Sequence, residues 1–202
     1  RHYDNYDVTK PEVLQFFKDA LTELFALLPS EVIHIGGDEV GYKVWEESKS
    51  VQKYMSDNHL ETPADLQISF TNNISKYIEE NGRRMMGWNE ILGKNIHKDF
   101  DEKKNDKEAE TELAKNAIVH FWKGDLGLLT DAAKKGYIIV NSLHSSTYLD
   151  YSYKGIPLKK AYNFNPIPDG LDEKYHENES SLLFLKLVKF QIIYNLNHSL
   201  FY

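Results

Sequence analysis

The strongest constraint on the fold is an alternation of short apolar segments with longer segments of helical character. The short segments, residues 31–35, 84–88, 117–122 and 137–141, have the length of strands and contain no proline. Strands that alternate with amphipathic helices form parallel βαβ units. Strands covered on both faces are continuously apolar, as these segments are. The sequence therefore predicts an α/β fold of four parallel strands with crossover helices.

The first helix is indicated by the residues in front of its apolar stripe. Thr9 and Glu12 have the spacing of a capping box, and Pro11 suits a first turn, where its missing N–H costs nothing. Apolar residues then recur at three- and four-residue steps as far as Pro29. We therefore expect a capped helix that ends at this proline.

Further helices are predicted over residues 44–57, from Thr62 to Asn81, and over residues 128–135. Pro63 lies in the first turn of the second of these, and a glycine follows its last residue. Residues 98–112 are almost entirely charged and show no period. This segment is interpreted as a solvated loop or frayed helix that carries no chemistry.

Composition excludes several classes of function. The chain has 202 residues, a formal net charge of −7 and no cysteine. Negative charge argues against nucleic-acid partners, and the lack of an apolar run of roughly 20 residues argues against membrane insertion. Disulfides, thiolate metal sites and cysteine nucleophiles are also excluded. Because the sequence opens Arg-His-Tyr-Asp, without Met or a signal peptide, we expect the native gene product to start elsewhere.

The sharpest chemical feature is the segment His-Ile-Gly-Gly-Asp-Glu-Val at residues 34–40. It follows a predicted strand, and α/β barrels place their active sites at the carboxyl ends of strands. Adjacent carboxylates such as Asp38 and Glu39 raise each other's proton affinity, so one can act as an acid while the other stays ionised. An alternative is that the pair caps the next helix, and the pair alone does not decide between the two.

Aromatic and polar residues follow the other predicted strands. Trp88 and Trp122 close the second and third strands, and Tyr148 and Asp150 come after the fourth. A single Trp at a strand end is more often part of the core. Several aromatic walls with a few polar groups instead suit a sugar, whose C–H faces stack on indole while its hydroxyls meet carboxylates.

Four motifs in order resemble the catalytic domain of glycoside hydrolase family 20, the β-N-acetylhexosaminidases. They are His-Ile-Gly-Gly-Asp-Glu-Val, Met-Gly-Trp-Asn-Glu, His-Phe-Trp and Tyr-Leu-Asp, and the resemblance covers residues 1–176. It implies a partial (β/α)8 TIM barrel in which the four strands correspond to the fourth to seventh of the family barrel. It also implies glycans that end in N-acetylglucosamine or N-acetylgalactosamine as partners.

The resemblance implies retaining exo-hydrolysis of terminal N-acetyl-β-D-hexosamine residues by substrate-assisted catalysis, without a metal or other cofactor. Glu39 is similar to the general acid, and Asp38 to the carboxylate that orients the acetamido group and balances the oxazolinium charge. Tyr148 corresponds to the hydroxyl that binds the acetamido oxygen. The resemblance also implies substrate-binding residues, which are Trp88, Trp122 and Asp150, and supporting residues, which are His34, Trp45 and Glu90.

Some features depart from the family pattern. A complete barrel takes about 250 residues, and the first strands and the last strand have no counterpart here. Residues 177–202 form an atypical apolar tail, for which a helix is one interpretation because Leu182, Leu185 and Val188 have helical spacing. We therefore expect the chain by itself to be inactive. By family analogy, we expect the full-length protein in the periplasm or outside the cell.

Two other functions remain open at this stage. One is a non-catalytic, carbohydrate-binding remnant of such an enzyme. The other is a nucleotide cyclase, because Gly-Gly-Asp-Glu-Val is close to the Gly-Gly-Asp-Glu-Phe signature of diguanylate cyclases. That signature lies on a hairpin turn and works with Mg²⁺, whereas here a strand precedes the motif and a helical crossover follows it. Neither a second acidic site nor a phosphate loop is visible in the sequence.

Overall fold

A computed structural model of the chain describes residues 5–93, 109–148, 150–167 and 171. The described residues fall into two compact units, divided between Ala117 and Ile118. The predicted apolar tail over residues 177–202 and most of the predicted charged loop lie outside the described residues. None of the helices in these ranges has the length and apolar character needed to cross a membrane.

The first unit contains the expected succession of helices and strands. Its two strands pair in parallel, with Val32 opposite Arg84 and His34 opposite Met86. Both strands lie where the sequence predicts them. In chain order the elements are α1 (Pro11–Leu27), β1 (Val32–His34), α2 (Lys43–Glu47), α3 (Lys49–Asp57), α4 (Pro63–Glu80) and β2 (Arg84–Trp88), followed by a 3₁₀ turn (Asn89–Leu92).

The second unit repeats the strand–helix–strand arrangement. Its strands also pair in parallel, with Ile118 opposite Ile138 and Phe121 opposite Asn141. Every residue of the first of these strands is buried, as the continuous apolar run predicts. In chain order the elements are β3 (Ile118–Phe121), α5 (Leu126–Lys134), β4 (Ile138–Asn141), α6 (His144–Thr147) and α7 (Leu158–Tyr162).

The start of α1 differs from the predicted capping box. The helix begins at Pro11 as expected, but its N-cap residue is Lys10, which forms no side-chain cap. The backbone N–H and the hydroxyl of Thr9 instead donate to Asp7 Oδ1, at 3.2 and 2.5 Å. Because this local turn already uses the Thr9 hydroxyl, the predicted box with Glu12 is wrong.

The predicted helix over residues 44–57 is two helices. Ser48 separates them, since its backbone is extended (φ −83°, ψ 113°) and its side chain caps α3 by accepting from Val51 N. The break lets both helices place apolar side chains in one buried cluster, which consists of Trp45, Val51, Met55 and Leu66. A local cap therefore overrides the helical periodicity here.

Helix α4 matches its prediction and organises the unit. It opens with the reciprocal Thr62–Asp65 capping box, and Gly82 follows its end with φ +71°. Toward β3, a polar row along the helix holds the segment at residues 111–116: Asp65 Oδ1 accepts from Thr111 N at 2.7 Å, and Asn72 Oδ1 accepts from Ala114 N at 2.8 Å. These bonds hold Thr111 and Ala114 against α4 within the first unit.

Candidate active site

The turn after β1 depends on two glycines. The strand ladder continues past β1, because Ile35 N donates to Met86 O and Trp88 N donates to Gly36 O, both at 2.9 Å. Gly36 and Gly37 then adopt φ values of +75° and +90°. A Cβ on Gly37 would lie 2.7 Å from a methyl carbon of Ile91. Only glycine fits this turn, which leads directly into the paired carboxylates.

Asp38 and Glu39 are both solvent-exposed at this turn. Asp38 lies over the glycines, since a Cβ built on Gly36 would be 3.6 Å from Asp38 Oδ1. Glu39 has φ +50°, a conformation that non-glycine residues seldom adopt and that clusters at functional sites. The N-cap residue of α2 is Tyr42, and its side chain forms no cap. The alternative that the carboxylates cap this helix is therefore wrong.

His34, the last residue of β1, contacts both the glycine turn and Trp88. Its Nδ1 accepts from Gly36 N at 3.0 Å, and its ring meets the indole edge-on with centroids 4.8 Å apart. His34 as a whole residue is exposed, but the protein atoms around its ring desolvate the imidazole and lower its pKa below the ordinary value, and the Asp38 carboxylate offsets part of that effect. The ring next to Asp38 is therefore held neutral, with its proton on Nε2.

The residues that follow β2 are well covered. Trp88 is half-buried at the end of the strand, and Asn89 and Glu90 are buried in the 3₁₀ turn. Asn89 lies inside the Met-Gly-Trp-Asn-Glu motif, but its burial was not predicted from the sequence. Trp45 lies away from these residues, in the buried cluster, where its Nε1 donates to Tyr6 O at 3.0 Å.

Gln67 connects α4 to the carboxylate turn. Its side chain is 6% exposed, its Nε2 donates to Gly37 O at 2.9 Å, and its Oε1 accepts from the Tyr42 hydroxyl at 2.5 Å. These partners stand on either side of Asp38 and Glu39. No sequence signal pointed to this residue, because a lone glutamine on an amphipathic helix is ordinarily part of its solvated face.

The second unit places an aromatic cluster beyond β3 and β4. Trp122 and Tyr148 stack with centroids 6.2 Å apart and planes 14° from parallel. His144 lies against both, with centroids at 5.8 and 6.0 Å, and its backbone N–H donates to Trp122 O at 2.7 Å. His144 was missed by the sequence analysis, although it lies only four residues before the predicted Tyr148.

Asp150 is exposed in the turn that follows Tyr148. The same turn brings Tyr151 against the Tyr148 ring, with centroids 6.4 Å apart. Deeper in this unit, the His120 ring nitrogen Nε2 and the Ser142 hydroxyl form a buried hydrogen bond of 2.6 Å. The second unit therefore offers stacked rings with a hydroxyl and a carboxylate at its surface.

Each unit holds a distinct part of the chemistry. The first has two exposed carboxylates, a neutral imidazole and an indole at one turn, which suits proton transfer beside a fixed negative charge. The second has aromatic faces that suit an apolar group of a ligand. Within the described ranges, no group of three or more His, Asp or Glu side chains is arranged to hold a metal ion.

Comparison with known proteins points to the same family as the four sequence motifs. The sequence model of the glycosyl hydrolase family 20 catalytic domain matches residues 2–187. The beta-hexosaminidase of Porphyromonas gingivalis is 30% identical over 185 residues, which is 86% of this chain and 22% of that protein. The beta-hexosaminidase subunit B1 of Dictyostelium discoideum is 30% identical over 150 residues, 74% of this chain and 24% of its own length.

Solved structures agree as well. The crystal structure of Flavobacterium johnsoniae chitobiase matches with a TM-score of 0.67 at 30% identity, over 83% of this chain and 23% of that one. A family 20 exo β-N-acetylglucosaminidase from Vibrio harveyi, in complex with N-acetylglucosamine, matches with a TM-score of 0.63 at 25% identity, over 83% and 26% of the two chains.

The chain thus spans about a quarter of the length of the relatives it matches. The family barrel has eight strands, of which the described residues supply four, in two parallel pairs. The nucleotide-cyclase alternative is excluded by this match. The chain belongs to glycoside hydrolase family 20 and contains part of its (β/α)8 catalytic domain.

Proposed function

We propose that the native gene product containing residues 1–202 removes terminal β-linked N-acetylhexosamine residues from glycans, by a retaining and substrate-assisted reaction. The observation that carries the proposal is the pair Asp38 and Glu39, exposed on a glycine turn at the carboxyl end of β1 in a family 20 chain. Relatives named beta-hexosaminidase and the N-acetylglucosamine complex of the Vibrio harveyi enzyme support this substrate class.

In this reaction Glu39 is the general acid. Its proton goes to the glycosidic oxygen while the acetamido oxygen of the substrate attacks the anomeric carbon, so the leaving sugar departs as an alcohol. The product of this step is an oxazolinium ion. The Glu39 carboxylate then takes a proton from water as that water opens the ring at the anomeric carbon, which restores the acid and retains the configuration.

Asp38 carries the negative charge of the reaction. Its carboxylate accepts from the acetamido N–H and stabilises the positive charge that develops on the oxazolinium, an interaction stronger in the transition state than in the ground state. The neutral state of His34 matters here, because a protonated imidazole would compete for the same carboxylate. The depressed pKa of His34 leaves Asp38 available to the substrate at neutral pH.

The aromatic residues bind the sugar and its acetamido group. The Tyr148 hydroxyl donates to the acetamido oxygen and holds it in line with the anomeric carbon. Stacking against Trp122 fixes the direction of the Tyr148 ring, which supports this role. Trp88 supplies a further apolar wall, and Asp150 accepts from hydroxyls of the terminal sugar. His34, Trp45 and Glu90 support these groups through packing and hydrogen bonds.

The test is hydrolysis of chromogenic β-N-acetylglucosaminides and β-N-acetylgalactosaminides by the purified native gene product. We expect turnover, a β-configured first product by NMR, and inhibition by a thiazoline analogue of the oxazolinium. A covalent glycosyl-enzyme trapped during turnover would contradict substrate assistance. Binding of N-acetylglucosamine without any turnover would instead support the carbohydrate-binding alternative.

Cell fractionation tests the accompanying expectation of a periplasmic or extracellular location.

A further inference from the structure

The carboxylate turn is held from both ends but not in its middle. Gly36 O accepts from Trp88 N on one side, and Gly41 O accepts from the Asn5 side chain on the other. Within the part of the chain that the structure describes, residues 38–40 form no hydrogen bond of their own. The positions of the two carboxylates therefore depend on the groups that anchor their neighbours.

Gln67 is the side chain that anchors both neighbours at once. Its amide donates to Gly37 O, directly before Asp38, and accepts from the Tyr42 hydroxyl, just beyond Gly41. Tyr42 is itself fixed by stacking on the buried Trp45, with centroids 5.8 Å apart. Gln67 therefore ties the turn to the rigid helix α4 and to the packed cluster beneath α2.

The link needs one hydrogen-bond donor and one acceptor on the same side chain. Gly37 O needs a donor and the Tyr42 hydroxyl needs an acceptor. The glutamine side chain provides the donor with its Nε2 and the acceptor with its Oε1. Because the side chain is 6% exposed, water does not replace a lost partner easily. The unusual φ of +50° at Glu39 also persists only where surrounding contacts hold it.

We propose that Gln67 is a positioning residue of the hydrolase, which sets the places of Asp38 and Glu39 through the Gly37 carbonyl and the Tyr42 hydroxyl. The expected effect on kcat rests on the proposed function. The two hydrogen bonds of Gln67 are structural and do not depend on it. Gln67 makes no contact with the reacting atoms. It acts through the main chain, where a displacement of about 1 Å can cost on the order of a hundredfold in rate.

The test compares two variants of Gln67 with a matched control in the native gene product. Gln67→Met keeps the volume and removes both bonds. Gln67→Glu keeps the acceptor for Tyr42 and loses the donor to Gly37 unless the carboxyl is protonated. Asn72→Leu is the control, because Asn72 is also an amide on α4 that bridges two backbone groups, Glu112 O and Ala114 N, away from the turn.

We expect Gln67→Met to lower kcat by about ten- to a hundredfold with KM nearly unchanged. Asn72→Leu lowers Tm but leaves kcat within about twofold, since it affects folding alone. For Gln67→Glu, the ratio of its kcat to that of wild type recovers toward acid pH, because the protonated carboxyl again donates to Gly37 O. The ratio at each pH compares the variant with wild type under the same conditions, so that pH dependence common to both enzymes is not counted.

Crystal structures of wild type, Gln67→Met and Asn72→Leu provide a readout that does not need activity. Displacement of Asp38 and Glu39 in Gln67→Met only, together with the loss of kcat, supports the proposal. If that turn is unmoved in Gln67→Met, or if kcat stays within twofold of wild type while Tm falls as in Asn72→Leu, the positioning role is overturned. Absence of turnover in wild type contradicts the proposed function instead, and the crystal structures still decide whether Gln67 places the carboxylates.

Discussion

His34 Nδ1 accepts the backbone N–H of Gly36 at 3.0 Å, so the last side chain of β1 holds the first glycine of the carboxylate turn. This bond requires an unprotonated Nδ1. The depressed pKa of His34, caused by burial and partly offset by Asp38, keeps it so at neutral pH. Protonation of His34 in acid would therefore break this bond, so the stability of the turn depends on pH.

Stability should fall in mild acid because of His34. Its folded-state pKa is below the unfolded value, so below about pH 6.5 the unfolded chain binds the proton first and is stabilised relative to the native state. At higher pH both states are neutral and the effect vanishes. His34→Asn places an acceptor near the position of Nδ1 without titrating. We expect its Tm to fall less than that of wild type between pH 7 and 5, and parallel curves would contradict this account.

The pKa of Asp65 is also lowered in the folded chain, so its contribution to stability is lost in acid as well, but at lower pH than that of His34. Burial, the largest influence, raises the pKa of this carboxyl, but hydrogen bonds from Thr111 and Thr62 together lower it below its ordinary value. A depressed carboxyl pKa contributes stability that is present above the unfolded value and is lost as pH falls through the folded value. The network around Asp65 should therefore weaken in acid.

Asp65→Asn should destabilise the fold at neutral pH by about 1–3 kcal/mol, because an amide nitrogen would face the donors of Thr62. Urea unfolding at pH 7 and pH 4 measures this, and we expect the cost to shrink at the lower pH. Asp57→Asn is the control, since Asp57 is exposed and forms a surface ion pair with Lys53. Equal effects of the two substitutions would show that Asp65 has no special role.

Gly93 and Gly82 form a second matched pair. Both have positive φ, +69° and +71°, so an alanine at either position meets the same backbone cost of about 1–2 kcal/mol. At Gly93 the added Cβ would also lie 2.6 Å from Ala109 Cβ and from Ile68 Cδ1, whereas at Gly82 nothing lies within 4 Å. Gly93→Ala should therefore lower the free energy of unfolding clearly more than Gly82→Ala in denaturant titrations. Similar losses would mean that Ala109 does not pack beside Gly93.

Much of this fold could be predicted from local signals. The four strands are short, mostly apolar runs, and each was located to within two residues at either end. The start of α4 at Thr62 was also predicted, from Pro63 in its first turn, whereas the capping box with Asp65 was found only in the structure. Two predictions were wrong because of local hydrogen bonds. Asp7 accepts from the Thr9 hydroxyl that the predicted capping box needed, and Ser48 caps a new helix inside the run that was predicted as one helix.

The site could be predicted only where its residues sit within a motif. Asp38 and Glu39 follow β1, and the two tryptophans stand at the ends of β2 and β3, so these positions at strand ends could be deduced from the sequence. Gln67 and His144 could not, because what matters is a partner 30 residues away for Gln67 and ring packing with Trp122 for His144. Sequence periodicity assigns a residue to a helix face but does not reveal which backbone group it meets in the folded chain.

Asp38→Asn should lower kcat while leaving KM within a few-fold of wild type. The substituted amide is close in size to the carboxylate, but it lacks the charge that stabilises the oxazolinium in the transition state. Affinity for the thiazoline analogue should fall together with kcat, because this analogue resembles the charged intermediate. A variant that loses substrate affinity but keeps its kcat would show that Asp38 serves ground-state binding only.

The assignment of Glu39 as the acid is the central claim, and the leaving-group dependence of Glu39→Gln tests it most directly. The measurement is kcat/KM of the native gene product and of the variant on an unactivated β-N-acetylglucosaminide and on a nitrophenyl substrate. Without a proton donor, the unactivated substrate should lose most of its rate, on the order of 10²–10⁴-fold. The nitrophenyl substrate should retain far more, since its leaving group departs without protonation. Equal losses on both substrates would contradict the assignment.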